Sequence, residues 1–466
     1  MITINTPTKE LNEVGKLHAT KGIYFEVDNK ELVSEMEDFI KNELPNKLNQ
    51  VLVITNLYSH LESFIPDFFE LNQHINDTPL NRIKFLERSY VVSYILLKNH
   101  HYVADLDIYA SGICAKKYLK SLMNNGGFAK SSDLIEFQSY AGIIGEVVQS
   151  PRYWTEEQEF EFTGRCTQYS FNKELIIALV KDSKHEIKEF HPTKSVIKII
   201  SKMDDLTKWK LFINSKMSFP EEVVNEAHKI VDKGYFNDKG EVRDRYHDSL
   251  AILELQNGNM GALIPHYDSY SGRCHNIMTR LRRDTRKKLL LDGEPVVELD
   301  VHACILVILA ALIGNKKLIK YLENTEDFYG DVMEVAELID EKYDKSNPIH
   351  KEIRRNLKTR FLKYLNSVYS DDRAFIKFFN EIDPNITLSI NLVRMVYNNK
   401  NAIPKMTQII EAQLILEELP RKLLNKGILF ETIHDCIVVQ ESKVDIAKQL
   451  MLETFKERLG INVKVT

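Results

Sequence analysis

The chain is poor in cysteine and arranges what it has in no recognisable way. Its 466 residues include five cysteines, Cys114, Cys166, Cys274, Cys304 and Cys436. They are odd in number, scattered and without a Cys-x-x-Cys pair, which indicates neither a disulfide framework nor a zinc site of ordinary spacing and fits a reducing cytoplasm. No apolar run approaches about 18 residues, and the N-terminus lacks a basic segment followed by an apolar core. Neither a membrane span nor a secretion signal is therefore expected, and a cytoplasmic location is. An excess of one charge is missing too: 62 Lys and Arg against 67 Asp and Glu leave a net charge of −5. Any nucleic-acid partner must then be held by local basic surfaces rather than a global basic field. Internal repeats and low-complexity tracts are absent, and the length gives two or three domains with ample core.

What is present is a pair of short apolar runs, each ending in aspartate: Val-Val-Glu-Leu-Asp from Val296 to Asp300, and Phe-Glu-Thr-Ile-His-Asp from Phe430 to Asp435. β-Branched runs of this kind are expected to be buried strands. A carboxylate at one strand end can meet another on a neighbouring strand. Two such groups roughly 3–4 Å from a shared pair of cations would neutralise a triphosphate and activate a 3′-hydroxyl for in-line attack. Glu298 shares a strand face with Asp300, as a solvated edge residue or as a metal neighbour. Taken singly, Asp300 is an ordinary strand-end or capping aspartate and His434-Asp435 an ordinary loop dipeptide.

Two basic clusters accompany the aspartates. Lys351, Arg354, Arg355, Lys358, Arg360 and Lys363 stand against Glu352 on a predicted helix, as a solvated face, a nucleic-acid contact or a triphosphate site. Lys358 and Tyr369 are three helical turns apart, so both project from one face of such a helix. Arg273, Arg280, Arg282, Arg283, Arg286, Lys287 and Lys288, broken by Asp284, precede the first aspartate, where they could neutralise phosphates of a duplex. Gly272 would let backbone approach a ligand closely.

The segments around these residues follow a known order, and the chain resembles family A DNA polymerases over 270–440. Asp300 and the residues after it, including Leu306 to Leu312, resemble that family's first palm motif, and His434-Asp435 its second. Ser-Gly-Arg at 271–273 with Arg286 resembles the Gly-Arg segment upstream, and Asp327-Phe328-Tyr329 the Asp-x-His/Tyr segment. Arg354, Lys358 and Tyr369-Ser370 resemble the nucleotide-binding helix, with the lysine and tyrosine further apart than is usual and serine where glycine is common. Gln408 with Glu411 resembles the Gln-containing helix before the His-Asp turn. The likeness extends to polymerase-palm proteins of mobile elements and, more distantly, to single-subunit phage-type RNA polymerases.

The resemblance implies an α+β fold: a right-hand polymerase palm with an antiparallel sheet and helical fingers and thumb, joined to a mixed α/β N-terminal region. It implies a template-directed nucleotidyltransferase, a DNA polymerase, using two Mg²⁺ or Mn²⁺ ions held by Asp300, Val301 and Asp435. His434 would position the neighbouring backbone or primer phosphate. Arg354, Lys358, Tyr369 and Ile305 would meet the nucleotide, Ile305 standing where DNA polymerases of the family carry a glutamate that crowds the sugar. Arg273, Arg286, Gln408 and Glu411 would face the nucleic acid. Primer–template or duplex DNA and nucleoside triphosphates are the expected partners, with no membrane. Two alternatives remain open: a palm protein that lost turnover and acts as a nucleic-acid-binding replication or regulatory factor, and an RNA-synthesising polymerase or primase.

Before the palm, 266–466, three further units are expected. Residues 1–90 mix strand-like Val51 to Ile54 with amphipathic Glu31 to Ile40 and carry no recognisable chemistry. In 91–175, a helix from Ser111 to Asn124, a turn and a β-hairpin ending at Cys166 to Phe171 have the order of a winged helix. Lys116, Lys117 and Lys120 would face outward, with Arg152, Tyr153 and Trp154 near the hairpin; an ordinary packing module has the same order. Residues 176–265 look helical over Lys194 to Met203, Lys208 to Ile213 and Pro220 to Asp232, and their position suggests a thumb. Asp28, Asp105 and Asp107 are isolated, so no proofreading exonuclease is expected.

Overall fold

The computed structural model describes residues 23–466 apart from Asn49, Asn99, 104–107, 114–128, 150–166, 181–183, 192–199, 235–242, 269–271, 367–371 and 398–401. The fold is α+β with antiparallel sheets. The first six strands are β1 (Gln50–Ile54), β2 (His100–Val103), β3 (Ile108–Ile113), β4 (Ile144–Gln149), β5 (Thr167–Phe171) and β6 (His185–Glu189). β1 pairs with β6, and the other four form a sheet in the order β2-β3-β5-β4. Helices Thr55–Leu71 and Pro79–Lys98 pack together over an aromatic core in which Phe68, Phe85 and Phe137 touch ring to ring.

The expected helix from Ser111 to Asn124 is corrected at its start, because Ser111–Ile113 belongs to β3 and pairs with β2 and β5. Its helical spacing lost to a hairpin with β2 on one edge and long-range pairing with β5 on the other, which together outweigh local propensity in an inner strand. Lys116, Lys117, Lys120, Arg152, Tyr153 and Trp154 lie outside the described residues. Val51 to Ile54 is a strand as expected, and Lys208 to Ile213 and Pro220 to Asp232 are helical, within Asp205–Ser215 and, with Pro220 as its cap, Glu221–Asp232.

A five-stranded sheet positions the aspartates. It contains β7 (Met217–Ser218), β10 (Leu290–Leu291), β11 (Glu294–Asp300), β12 (Phe430–Ile433) and β13 (Cys436–Gln440), in the order β12-β13-β11-β10-β7, while β8 (His266–Tyr267) and β9 (Cys274–His275) form a separate hairpin. β7 draws this sheet from before residue 266. The inner strand β13, Cys-Ile-Val-Val-Gln, is buried along its whole length, as a β-branched run covered on both faces must be. Asp292 (φ 52°) and Gly293 (φ 80°) close the β10–β11 hairpin. A two-residue turn with both φ values positive matches strand twist and fixes the register that carries β11 out to Asp300. At that end, residues 464–466 pair along the outer edge: the Asp300 amide donates to the Thr466 carbonyl at 2.9 Å and the His302 amide to the Lys464 carbonyl at 2.9 Å. The helix Val444–Leu459 packs against β11 and β13, and Asp205–Ser215 against β12. Among the described residues no helix is long and apolar enough to cross a membrane.

Candidate active site

Asp300 ends β11, and Cys436, the first residue of β13, lies directly opposite it. Asp435, one residue earlier, therefore sits beside Asp300. The turn is tight, with Ile433 paired to Cys436 and only His434 and Asp435 between them. His434 takes φ 55°, a left-handed conformation that histidine adopts more readily than bulky or β-branched residues.

The two carboxyls share an environment that disfavours charge. Asp300 is open to solvent on one side, yet surrounding protein and then the charge of Asp435 push its pKa up to about 6. Burial also raises Asp435, against a pull from Arg273 and Lys358. Glu411, 1% exposed, is pushed up to about 7 by burial although Arg273 holds it in a two-pronged ion pair, Nε to Oε1 and Nη2 to Oε2 both at 2.9 Å. Burial first, then Arg273, His275 and Arg286, lowers His434 to about 4, so its imidazole is neutral at ordinary pH.

The packing of neighbouring elements brings Glu411 there. The apolar helix Cys304–Ile313 begins just after Asp300, launched by Ala303 in the left-handed region. It packs along the helix Ala402–Gln413. The Sγ of Cys304, a carboxylate oxygen of Glu411 and one of Asp435 lie within 4.8 Å of one another. The β8–β9 hairpin closes against the same helix, with Gly272 (φ 73°) so near that a Cβ there would stand 3.5 Å from Cβ of Ala412. Gln408 sits half-buried one turn before Glu411.

The predicted nucleotide helix, Pro348–Asn366, lies beside the Asp327 segment, Phe361 packing on Phe328. Arg354 donates from Nε to both Asp327 oxygens at 3.3 and 3.1 Å, and its guanidinium lies 5.4 Å from the centre of the Tyr329 ring. Lys358 sits 5.8 Å from that ring; partial desolvation and Arg354 lower its pKa, while Asp327 and Asp300 oppose the shift. Arg283, 77% exposed and 3.7 Å from Glu298, is also near enough to lower the Asp300 pKa.

The structure thus gathers Asp300, Asp435, His434, Glu411 and Arg273 at one end of the sheet, with Lys358 near enough to act on Asp300. Arg286 pairs with Glu298 at 2.8 Å, which makes Glu298 a holder of arginines. Ile305 is half-buried on the first turn after Cys304 and packs into the core. Val301 is buried in β11's extension. Tyr369 lies outside the described residues. Sequence reasoning missed Cys304 and placed Arg283 only within the basic cluster before the first aspartate. A signal existed for Cys304, because one cysteine stands four residues after the first aspartate and another, Cys436, directly after the second.

One expectation follows from these raised carboxyl pKa values. Folded Asp300 and Glu411 hold protons at a pH where unfolded carboxyls have lost them, so the metal-free chain should gain stability as pH falls from about 7 toward 5. A divalent cation must displace those protons, so its affinity should fall over the same window. Calorimetric Mg²⁺ titrations that stay flat between about pH 5 and 8 would count against a converging carboxylate set.

No family model and no curated protein matches the chain. Among solved structures it is similar to the POL domain of Pol1 from M. smegmatis in complex with DNA primer-template and dNTP, with 12% identity, a TM-score of 0.35, and coverage of 98% of this chain and 71% of that one.

Proposed function

We propose that this chain is a metal-dependent nucleotidyltransferase that extends a nucleic-acid 3′ end by template-directed addition of deoxynucleotides. The observation that carries the reading is the meeting of Asp300, at the end of β11, with Asp435, in the turn that enters β13, and Lys358 near enough to act on Asp300. Carboxylate oxygens are the hard donors that Mg²⁺ and Mn²⁺ take, and two acidic groups held close with raised pKa values fit such ions. Asp300 and Asp435 would hold them. Alternation along β11 adds a donor: the amides of Asp300 and His302 face residues 464–466, which turns the Val301 carbonyl toward the β13 edge and Asp435. Bound there, the ions would supply charge neutralisation and a more nucleophilic 3′-oxygen. In the reaction that oxygen bonds to the α-phosphorus, the link to the bridging oxygen breaks, and pyrophosphate leaves.

The remaining residues bind and orient. Lys358 and Arg354 offer donors to the triphosphate, Arg354 aimed by Asp327 and by the face of Tyr329. Neutral His434 can hydrogen-bond a phosphate or backbone atom without adding charge. Arg273, fixed by Glu411, and Gln408 line the side from which a primer–template would approach. A specific observation favours a second reading, a palm without turnover that binds nucleic acid: Arg273, Arg286 and Arg354 are all held by carboxylates of this chain. Primer extension by the full chain, with primed DNA, deoxynucleotides and Mg²⁺ or Mn²⁺, decides between them. Pyrophosphate released in step with primer growth supports the enzyme; duplex binding without growth supports the binder.

Sugar choice depends on Ile305. A 2′-hydroxyl packed against an aliphatic side chain would lose hydration at a cost of roughly 1–3 kcal/mol, so the wild type should prefer deoxynucleotides by about ten- to a hundredfold. Ile305→Gly should lose most of that preference. Equal discrimination by the two proteins would remove Ile305 from the sugar site, and a ribonucleotide preference in the wild type would point to an RNA-making enzyme.

A further inference from the structure

Behind the aspartate pair, the donors change character. Cys304 opens the helix that follows Asp300, is 2% exposed and has no hydrogen-bond partner among the described residues. Its sulfur, with oxygens of Glu411 and Asp435, makes a triangle no wider than 4.8 Å. Magnesium has little use for a sulfur donor; zinc, cobalt and cadmium readily take one. We propose that Cys304, Glu411 and Asp435 form a binding site for a thiophilic divalent cation of the Zn²⁺, Co²⁺ and Cd²⁺ class, sharing Asp435 with the aspartate pair.

The geometry and chemistry suit that class. Around tetrahedral zinc, one sulfur and two oxygens stand about 3.3–3.6 Å apart, so these side chains need close by only about an ångström to seat the ion. Three protein donors leave the fourth position to water, the arrangement of an open zinc site. Arg273 grips Glu411 from one side, yet a carboxylate has about four lone-pair sites and two remain for a metal. The same ion pair fixes the carboxylate's orientation, as outer partners of metal ligands commonly do. The other described cysteines stand differently: Cys436 bonds its own strand's backbone at the Ile437 carbonyl, 3.5 Å away, and neither it nor Cys274 belongs to a group of three metal-donor side chains among the described residues.

The site is tested on the metal-free full chain by titration with Co²⁺, followed through the near-ultraviolet thiolate-to-cobalt charge-transfer band. One equivalent should produce the band and one of Zn²⁺ should remove it. Cys304→Ala and Cys304→Ser should both lack the band while keeping the wild-type circular dichroism. Glu411→Gln should weaken Co²⁺ binding by about tenfold or more. A wild-type chain without the band, or a band that survives in the Cys304→Ser variant, overturns the proposal. Because metal binding is read without nucleotides or primer, its failure is separate from a failure of the nucleotidyltransferase reading.

Discussion

Alanine in place of Asp300 or of Asp435 is expected to lower primer extension by roughly a thousandfold or more, about 4 kcal/mol of transition-state stabilisation, while the fold persists. Asp300 is a solvent-facing strand end, and Asp435 lies in a turn that needs its positive φ at His434 instead. Neither side chain holds the core. The mutual repulsion that helps raise Asp300 to about 6 would disappear in either variant, so the metal-free protein should unfold at the same temperature as the wild type or slightly above it. Activity and stability should thus move apart, an outcome that general damage cannot produce. Undiminished extension by either variant, or a loss of activity matched by a loss of folded protein, would sink the assignment of the pair.

The aspartates were legible because each ends a β-branched run, and such runs reveal strands whatever their partners. The His-Asp turn was legible for a similar local reason, as two polar residues between apolar strands. Arg354 and Asp327 were each named in separate segments through the polymerase resemblance, but their ion pair was not. What stayed hidden lies in long-range pairing. Helical spacing at Ile113, Tyr118, Leu119 and Leu122 favoured a helix from Ser111, but nothing local announces that the distant strand β5 pairs with 110–113. Cys304 looked like one scattered thiol because spacing rules compare cysteines with cysteines, whereas its neighbours are carboxylates. The acidic partners of the arginines were equally invisible, since Glu298 and Glu411 meet Arg286 and Arg273 only through the folded sheet and the helix beside it.

Lys210 is the deepest of these hidden pairings, and replacing it with methionine should destabilise the chain by about 3–5 kcal/mol. In sequence it is one more lysine on an ordinary helix, 221 residues from its partner. In the fold both Lys210 and Glu431 are 0% exposed. The lysine Nζ donates to Glu431 at 2.6 Å and to the Thr432 hydroxyl at 3.0 Å. Asn276 donates to the same Glu431 oxygen at 2.6 Å and to the Thr432 carbonyl at 2.9 Å. Three segments therefore meet at one carboxylate: the helix Asp205–Ser215, the chain just after the Gly-Arg hairpin, and β12, which leads into His434 and Asp435. Methionine fills similar volume but leaves a buried carboxylate without its cation, and the other oxygen of Glu431 has no partner among the described residues to share the load. A second change, Glu431→Gln, removes the stranded charge and should restore most of the loss, whereas Glu431→Gln alone should harm the wild type. Divalent-cation affinity should follow the same pattern, since a hairpin no longer anchored at Glu431 places Asp435 less well. Urea unfolding midpoints of the two single variants and the double variant measure the coupling. Additive losses in the double variant would show that the pair is not a unit and leave the hairpin to be held by its strand pairing alone.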